Sequence, residues 1–187
     1  MKYGILSIPI ITVSMLVLIV SLNSLSDNAF ATTTATATSN NRTTTSIGVI
    51  SSPFYESNIS KVISERVVNT ADGTPQIEVS TLENATIKGV GNVTNLQTWN
   101  NIYKSPTISY GGGQGVITTA DGQDKATWTG YGVGRINTNG VTIYHDFIFF
   151  NTSSTGKLSF LNNMVGLRTD EVEGNKDTAK ISEWRSK

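Results

Sequence analysis

The chain has 187 residues, with 14 Lys+Arg balanced by 14 Asp+Glu, one histidine and no cysteine. The missing cysteine excludes a lipoprotein anchor, a disulfide framework, a thiolate nucleophile and a cysteine-ligated metal. The balanced charge leaves no basic stripe for nucleic acid or acidic lipid headgroups, and no second long apolar run suggests a multi-span membrane protein.

Residues 1–31 read as an export segment. Lys2 precedes an apolar run from Gly4 to Leu22, and Ala29-Phe30-Ala31 offers the small-x-small exit at which a signal peptidase cuts. The run of about nineteen residues is also long enough to span a bilayer as a helix if it is left uncut. The next positive charge after Lys2 is Arg42, an asymmetry that keeps the N-terminus inside and the bulk outside. The expectation is a signal peptide or a membrane anchor, with the remainder secreted or held at an extracytoplasmic surface.

Residues 32–52, rich in Thr, Ala, Ser and Asn, are too polar and too simple in composition to offset ordering entropy, and are expected to form a disordered stalk. Asn-x-Ser/Thr triplets at Asn41, Asn58, Asn84, Asn92 and Asn151 are glycan acceptor sites in an exported chain, Asn41 standing out because it lies in the stalk.

Residues 53–187, about 135 in number, suffice for one single-core domain. Turn signals recur at Ala71-Asp72-Gly73-Thr74, Gly89-Val90-Gly91-Asn92, Lys104-Ser105-Pro106, Ala120-Asp121-Gly122, Asn137-Thr138-Asn139-Gly140, Ser153-Ser154-Thr155-Gly156 and Glu173-Gly174-Asn175. Between them lie runs of Val, Ile, Thr, Tyr and Phe with period-two alternation, the all-β pattern. The predicted strands are 58–69, 75–82, 84–90, 95–104, 107–119, 125–136, 141–150 and 157–169, with a closing piece at 178–185. An antiparallel up-and-down β-barrel of about eight strands removes its own edges; a two-sheet sandwich is the alternative.

Two glycine stripes favour the barrel. Gly111, Gly113 and Gly115 share one strand face, and Gly130, Gly132 and Gly134 share a face of the next. Glycine weakens a strand unless the wall bends or something large covers it. Trp128, on the face of Gly130, is placed to cover bare backbone.

Candidate chemistry is sparse. Gly111–Gly115 lacks the Gly-Lys-Ser/Thr of a phosphate loop. His145 falls in the strand Val141–Phe150, on the face of Val141, Ile143, Phe147 and Phe149, and reads as a core histidine, with a general base as the alternative. One histidine without cysteine does not build a zinc site, so neither metal nor cofactor is expected. A hairpin around Asp72-Gly73 sets Arg66 opposite Glu78, Glu65 opposite Val79, Val67 opposite Ile77, Ile63 opposite Thr81 and Val62 opposite Leu82. An exposed Arg66–Glu78 pair is structural; the same pair in a lumen would orient a ligand. The acidic run Asp170–Asp177 lacks EF-hand spacing and reads as a solvated hairpin tip.

Three segments, Gly113–Gly122, Trp128–Gly134 and Gly156–Asn163, resemble a group of uncharacterised exported archaeal proteins. The strand count and glycine pattern are more distantly similar to the eight-stranded barrels of allene oxide cyclases and dirigent-type proteins. That second resemblance implies a barrel around an apolar substrate and carries over no catalytic position. Three functions follow as expectations: a barrel binding a small apolar molecule, with Trp128, Tyr144 and Phe147 as ligand contacts; a cyclase or isomerase using Glu78, Arg66 or His145; or a surface structural or adhesion domain with a filled interior. Strands apolar on both faces leave a homo-oligomer open as well.

Overall fold

The computed structural model describes residues 49–174 and 176–185. Its strands are β1 (Val49–Ile50), β2 (Tyr55–Asn69), β3 (Gln76–Ile87), β4 (Gly91–Ser105), β5 (Ile108–Thr119), β6 (Lys125–Ile136), β7 (Thr142–Asn151), β8 (Val165–Glu173) and β9 (Lys176–Arg185). From β2 to β9 each strand pairs antiparallel with the next, and β9 returns to β2 through Tyr55↔Ile181, Glu56↔Lys180 and Ser57↔Ala179. The result is a closed eight-stranded up-and-down barrel with no α-helix among the described residues. β1 pairs antiparallel with the end of β9, Val49 with Arg185 and Ile50 with Trp184. Ordered pairing therefore begins inside the segment expected to be a stalk; residues 1–48 lie outside the described residues.

Local chemistry sets the reversals. Gly122 and Gly140 adopt φ of +72° and +81°, a region other residues enter only at a cost. Side chains tie the same turns: Asn137 Oδ1 accepts from the backbone N–H of Asn139 at 2.9 Å and of Val141 at 3.1 Å.

Three expectations about the strands are corrected. Residues 75–90 do not form two strands: β3 runs unbroken to Ile87, because the backbone reverses at Lys88–Val90 rather than near Glu83. Arg66, Glu65 and Val67 meet Glu78, Val79 and Ile77 as expected, but a bulge between Val62 and Ser64 sets Val62 against Thr81 and Lys61 against Leu82. The extra residue of a bulge shifts every pairing beyond it by one. Finally, 157–169 is not one strand. Residues 152–164 form a loop with a 3-10 turn at Ser159–Leu161, and β8 starts at Val165. Leu158, Leu161 and Met164, spaced by three, all turn inward and are buried.

That loop seals one end of the barrel. Its leucines pack with Ile87, Val93, Ile117, Ile148, Phe150 and Ile181 into the apolar core. Each fully buried leucine contributes about 1.5–3 kcal/mol from removed apolar surface.

The glycine stripes line the inside of the wall, face to face: Gly113 opposes Gly130, Gly111 opposes Gly132, and Gly115 opposes Trp128. Trp128 lies over Gly115 of the neighbouring strand, where a Cβ would stand 2.7 Å from its indole. Trp99, Asn101, Tyr144 and Asp146 cover Gly113, Gly111, Gly134 and Gly132 in the same way. Bare backbone on β5 and β6 thus makes room for large side chains carried by β4, β6 and β7.

Candidate functional site

Above the apolar plug the inward positions turn polar. β3 alternation points Thr81 and Glu83 inward, β4 contributes Asn95 and Gln97, and β8 contributes Arg168 and Asp170; all are buried. Glu83, fully enclosed, is the hub. Its Oε1 accepts from Arg168 Nη2 and from Gln97 Nε2, each at 2.6 Å, and its Oε2 accepts from the Tyr55 hydroxyl at 2.6 Å and from Asn95 Nδ2 at 3.0 Å. Trp128 Nε1 donates to Asn95 Oδ1 at 3.0 Å, and Gln97 Nε2 donates to Thr81 Oγ1 at 2.9 Å. Buried polar groups persist when satisfied in this way.

Arg168 links this layer to the next. Its Nη2 also donates to Asp170 Oδ2 at 2.9 Å, and the guanidinium lies 5.3 Å from the centre of the Trp99 ring. Burial opposes its charge, but Glu83, Asp170 and Asp146 together outweigh that cost and hold its pKa above the ordinary arginine value. Burial and the Glu83 charge push the Tyr55 hydroxyl far up, so it remains a donor.

Over the network lies a cavity of about 220 Å³, open at the end of the barrel opposite the loop plug. Trp99, Tyr103 and Tyr144 form aromatic walls, Val62, Val79 and Val172 an apolar rim, and Asp146, Arg168 and Asp170 the floor. Asp177, Glu65 and Asn101 also line it. Burial raises Asp146 to about 6, against the opposing pull of Arg168 and His145. Asp170 is pushed well above the usual carboxylate range, by burial first; Arg168 opposes, while Asp177 and Glu83 add to the rise. Tyr144 is raised by burial and by the charges of Tyr103, Asp170 and Asp146. Oxygens of Glu83, Asp170 and Asp177 lie within 4.8 Å of one another.

The sequence-derived candidates divide between the two sides of the wall. Trp128 and Tyr144 face inward, Trp128 beneath Trp99 at 5.3 Å between ring centres and Tyr144 on the cavity. Phe147 faces outward and packs edge-on against Trp184, 6.2 Å between centres. Arg66 and Glu78 pair at 2.7 Å on the outer surface. His145 is exposed on the outside, 3.5 Å from the Thr169 hydroxyl, which corrects the core-histidine expectation. Tyr144, Asp146, Ile148 and Phe150 of β7 turn in, and the exposed residues His145, Phe147 and Phe149 point to solvent. Asn84, Asn92 and Asn151 are exposed; Asn41 and the side chain of Asn58 lie outside what is described.

Glu83, Arg168, Asp146, Asp170 and Asp177 escaped the sequence reading. The acidic run is a hairpin tip only in part: Glu171, Glu173 and Lys176 are exposed, whereas Asp170 is buried and Asp177 half-buried. A signal was present, since Arg168 and Asp170 alternate in phase with Gly166, and Glu83 with Thr81 and Ala85.

Fold and cavity define a small closed up-and-down barrel with one plugged and one open end. No family model matches the chain, and no curated protein matches it. Among solved structures it is similar to a conserved protein of unknown function from Rhodopseudomonas palustris, at 7% identity and a TM-score of 0.56, covering 73% of this chain and 97% of the other. It is also similar to a β-barrel-like protein from Acinetobacter baumannii, at 13% identity and a TM-score of 0.52, covering 74% of this chain and 96% of the other. At such identities the likeness shows the fold alone.

Proposed function

We propose that the protein is an exported barrel that holds one small organic molecule in its open end. The observation that carries this reading is the 220 Å³ cavity between aromatic walls, above a floor of buried charged groups. Small barrels either fill with side chains or hold one ligand; here the plugged half is filled and the other half is not. The volume equals about seven waters by their share of the liquid, below the drug-sized range, so the occupant is small. The apolar ligand expected from composition is revised to one with an apolar body and a polar group, because buried carboxyls at the floor are costly to leave unpaired. Export rests on the leader within residues 1–31.

A cyclase or isomerase acting in the same cavity is the second reading. It is favoured by Asp146, a buried carboxyl at the floor placed to exchange a proton with an enclosed substrate.

Native mass spectrometry of protein purified from its own source tests the reading. A retained small mass is expected, and it should be absent from a Val79→Trp variant that fills the mouth. Repeated bare mass from the unaltered protein would overturn it.

A further inference from the structure

The chemistry of the cavity floor narrows the ligand class. Arg168 is already engaged: one guanidinium serves both Glu83, at 2.6 Å, and Asp170, at 2.9 Å. Glu83 has four donors on its two oxygens, so that ion pair is complete. The remaining carboxyls are in excess. Oδ1 of Asp170, on a side chain only 10% exposed, and Oδ1 of Asp177 are buried and meet no N–H or hydroxyl donor of the chain; the hydrogen bond between these two residues is carboxyl to carboxyl and needs a shared proton. Asp146 enters from β7 over bare Gly132, and Glu65 of β2 adds a further negative group at the rim. Among the described residues lining the cavity, Arg168 is the cation set against these four acids.

Two buried carboxyls joined only through a shared proton offer acceptors that a cationic donor from outside the chain takes up in place of that proton. The walls specify its surroundings. Trp99, Tyr103 and Tyr144 present aromatic surface to the cavity, and aromatic faces attract cations, most strongly where water is excluded. We infer that the ligand is a small organic ammonium, its cationic nitrogen held by Asp170 and Asp177, with Asp146 a further acid on the cavity floor, and its carbon body between Trp99, Tyr103 and Tyr144. The inference rests on the ligand-binding reading above and deepens it.

A divalent metal fits the same oxygens less well. The cluster of Glu83, Asp170 and Asp177 includes a carboxylate whose oxygens already accept four hydrogen bonds, and a fixed guanidinium lies beside it. A hard cation needs several free oxygens around it. An ammonium needs only a few acceptors on one side.

In the empty cavity near pH 6, Asp146 is about half protonated and Asp170, pushed well above the carboxylate range, holds a proton. An entering ammonium replaces these protons, and each proton displaced passes to buffer. Binding therefore releases protons, a signature that a merely structural acid would not give.

The test is isothermal titration calorimetry with phenethylamine, cyclohexylamine and tetramethylammonium against 2-phenylethanol and phenylacetate, and separately with magnesium, calcium and manganese chlorides. Titrations at pH 6 in two buffers of different ionisation enthalpy count the protons. The expected result is binding of the amines with proton release, and weakening by about tenfold or more in Asp170→Asn, as loss of a charge-assisted contact implies. An Asp170→Glu variant should keep most of the affinity. Binding of the neutral or anionic compounds in preference to the amines would overturn the cationic assignment while leaving a ligand-binding barrel. Binding of the metals alone would also overturn it. Failure of every compound, together with bare mass from the native source, would overturn both readings.

Discussion

Arg168 on β8 reaches Glu83 on β3 at 2.6 Å inside the barrel, with side-chain exposures of 3% and 0%. The two residues are 85 positions apart in the chain. Strands that never pair with each other are thereby linked through the barrel interior. Removing one partner of such a pair leaves an uncompensated buried charge, which costs far more than the pair contributes in net stability.

Glu83→Gln should therefore lower unfolding free energy by about 3–5 kcal/mol, measured by urea denaturation. The double variant Glu83→Leu with Arg168→Met should cost less than the sum of the two single changes, because these two charges leave together, while Asp170 still loses its cation. Arg66→Ala, which opens the exposed Arg66–Glu78 pair, should leave the melting temperature nearly unchanged, since solvent screens it. An Arg66→Ala loss as large as that of Glu83→Gln would mean that the outer pair and the interior pair are wrongly ranked.

Gly115→Ala tests the covered wall. The added Cβ would stand 2.7 Å from the Trp128 indole, and overpacking of this kind costs roughly 1–3 kcal/mol. Thr129→Ala, on the outward face of β6, should cost little. Equal stability of the two variants in thermal denaturation would place Trp128 elsewhere.

Leu161→Ala tests the plug. Leu161 is fully buried in the loop that closes one end, and truncating such a leucine costs roughly 2–5 kcal/mol. Phe160→Ala, at a neighbouring position that is 46% exposed, should cost much less. The contrast follows from a 3-10 turn with one buried residue; denaturation midpoints of the two variants check it.

Stability should fall as pH rises from about 4 to about 6. Asp146 is raised from 3.8 to about 6 by burial, so the folded protein holds this proton more tightly than the unfolded chain. Its contribution is complete below the unfolded pKa and is lost as pH rises through the folded one. The magnitude is on the order of 3 kcal/mol, at about 1.4 kcal/mol for each unit. Asp170 acts in the same direction, while Arg168, facing Asp146 from β8, limits the effect. Subtracting the pH profile of Asp146→Asn from that of the unaltered protein isolates the residue. A difference that is flat, or that grows with pH, would contradict the buried placement.

The strands and their reversals were largely legible in the chain because both are local. Asp121-Gly122 and Asn137–Gly140 specify turns by backbone chemistry, and β5 to β7 lie within a residue of their predicted bounds. The stretch 157–169 was misread for a local reason too: its apolar residues look strand-like until their spacing of three is noticed. The candidate site was mostly illegible. In β7, Phe147 and Phe149 alternate with Ile148 and Phe150, so both faces are apolar and periodicity does not say which turns inward. His145 was placed on the wrong side for that reason, and Asp146 was passed over.

Composition and turn chemistry determined that residues 53–187 form an all-β domain of about eight strands, with bare stripes in two of them. Tertiary structure alone decided which faces look inward, and that a glutamate, an arginine and several aspartates converge on one cavity. The reason is physical. A tight turn depends on a few consecutive residues, whereas a buried charge is tolerated only when partners from distant strands arrive to meet it, and no short window of sequence records their arrival.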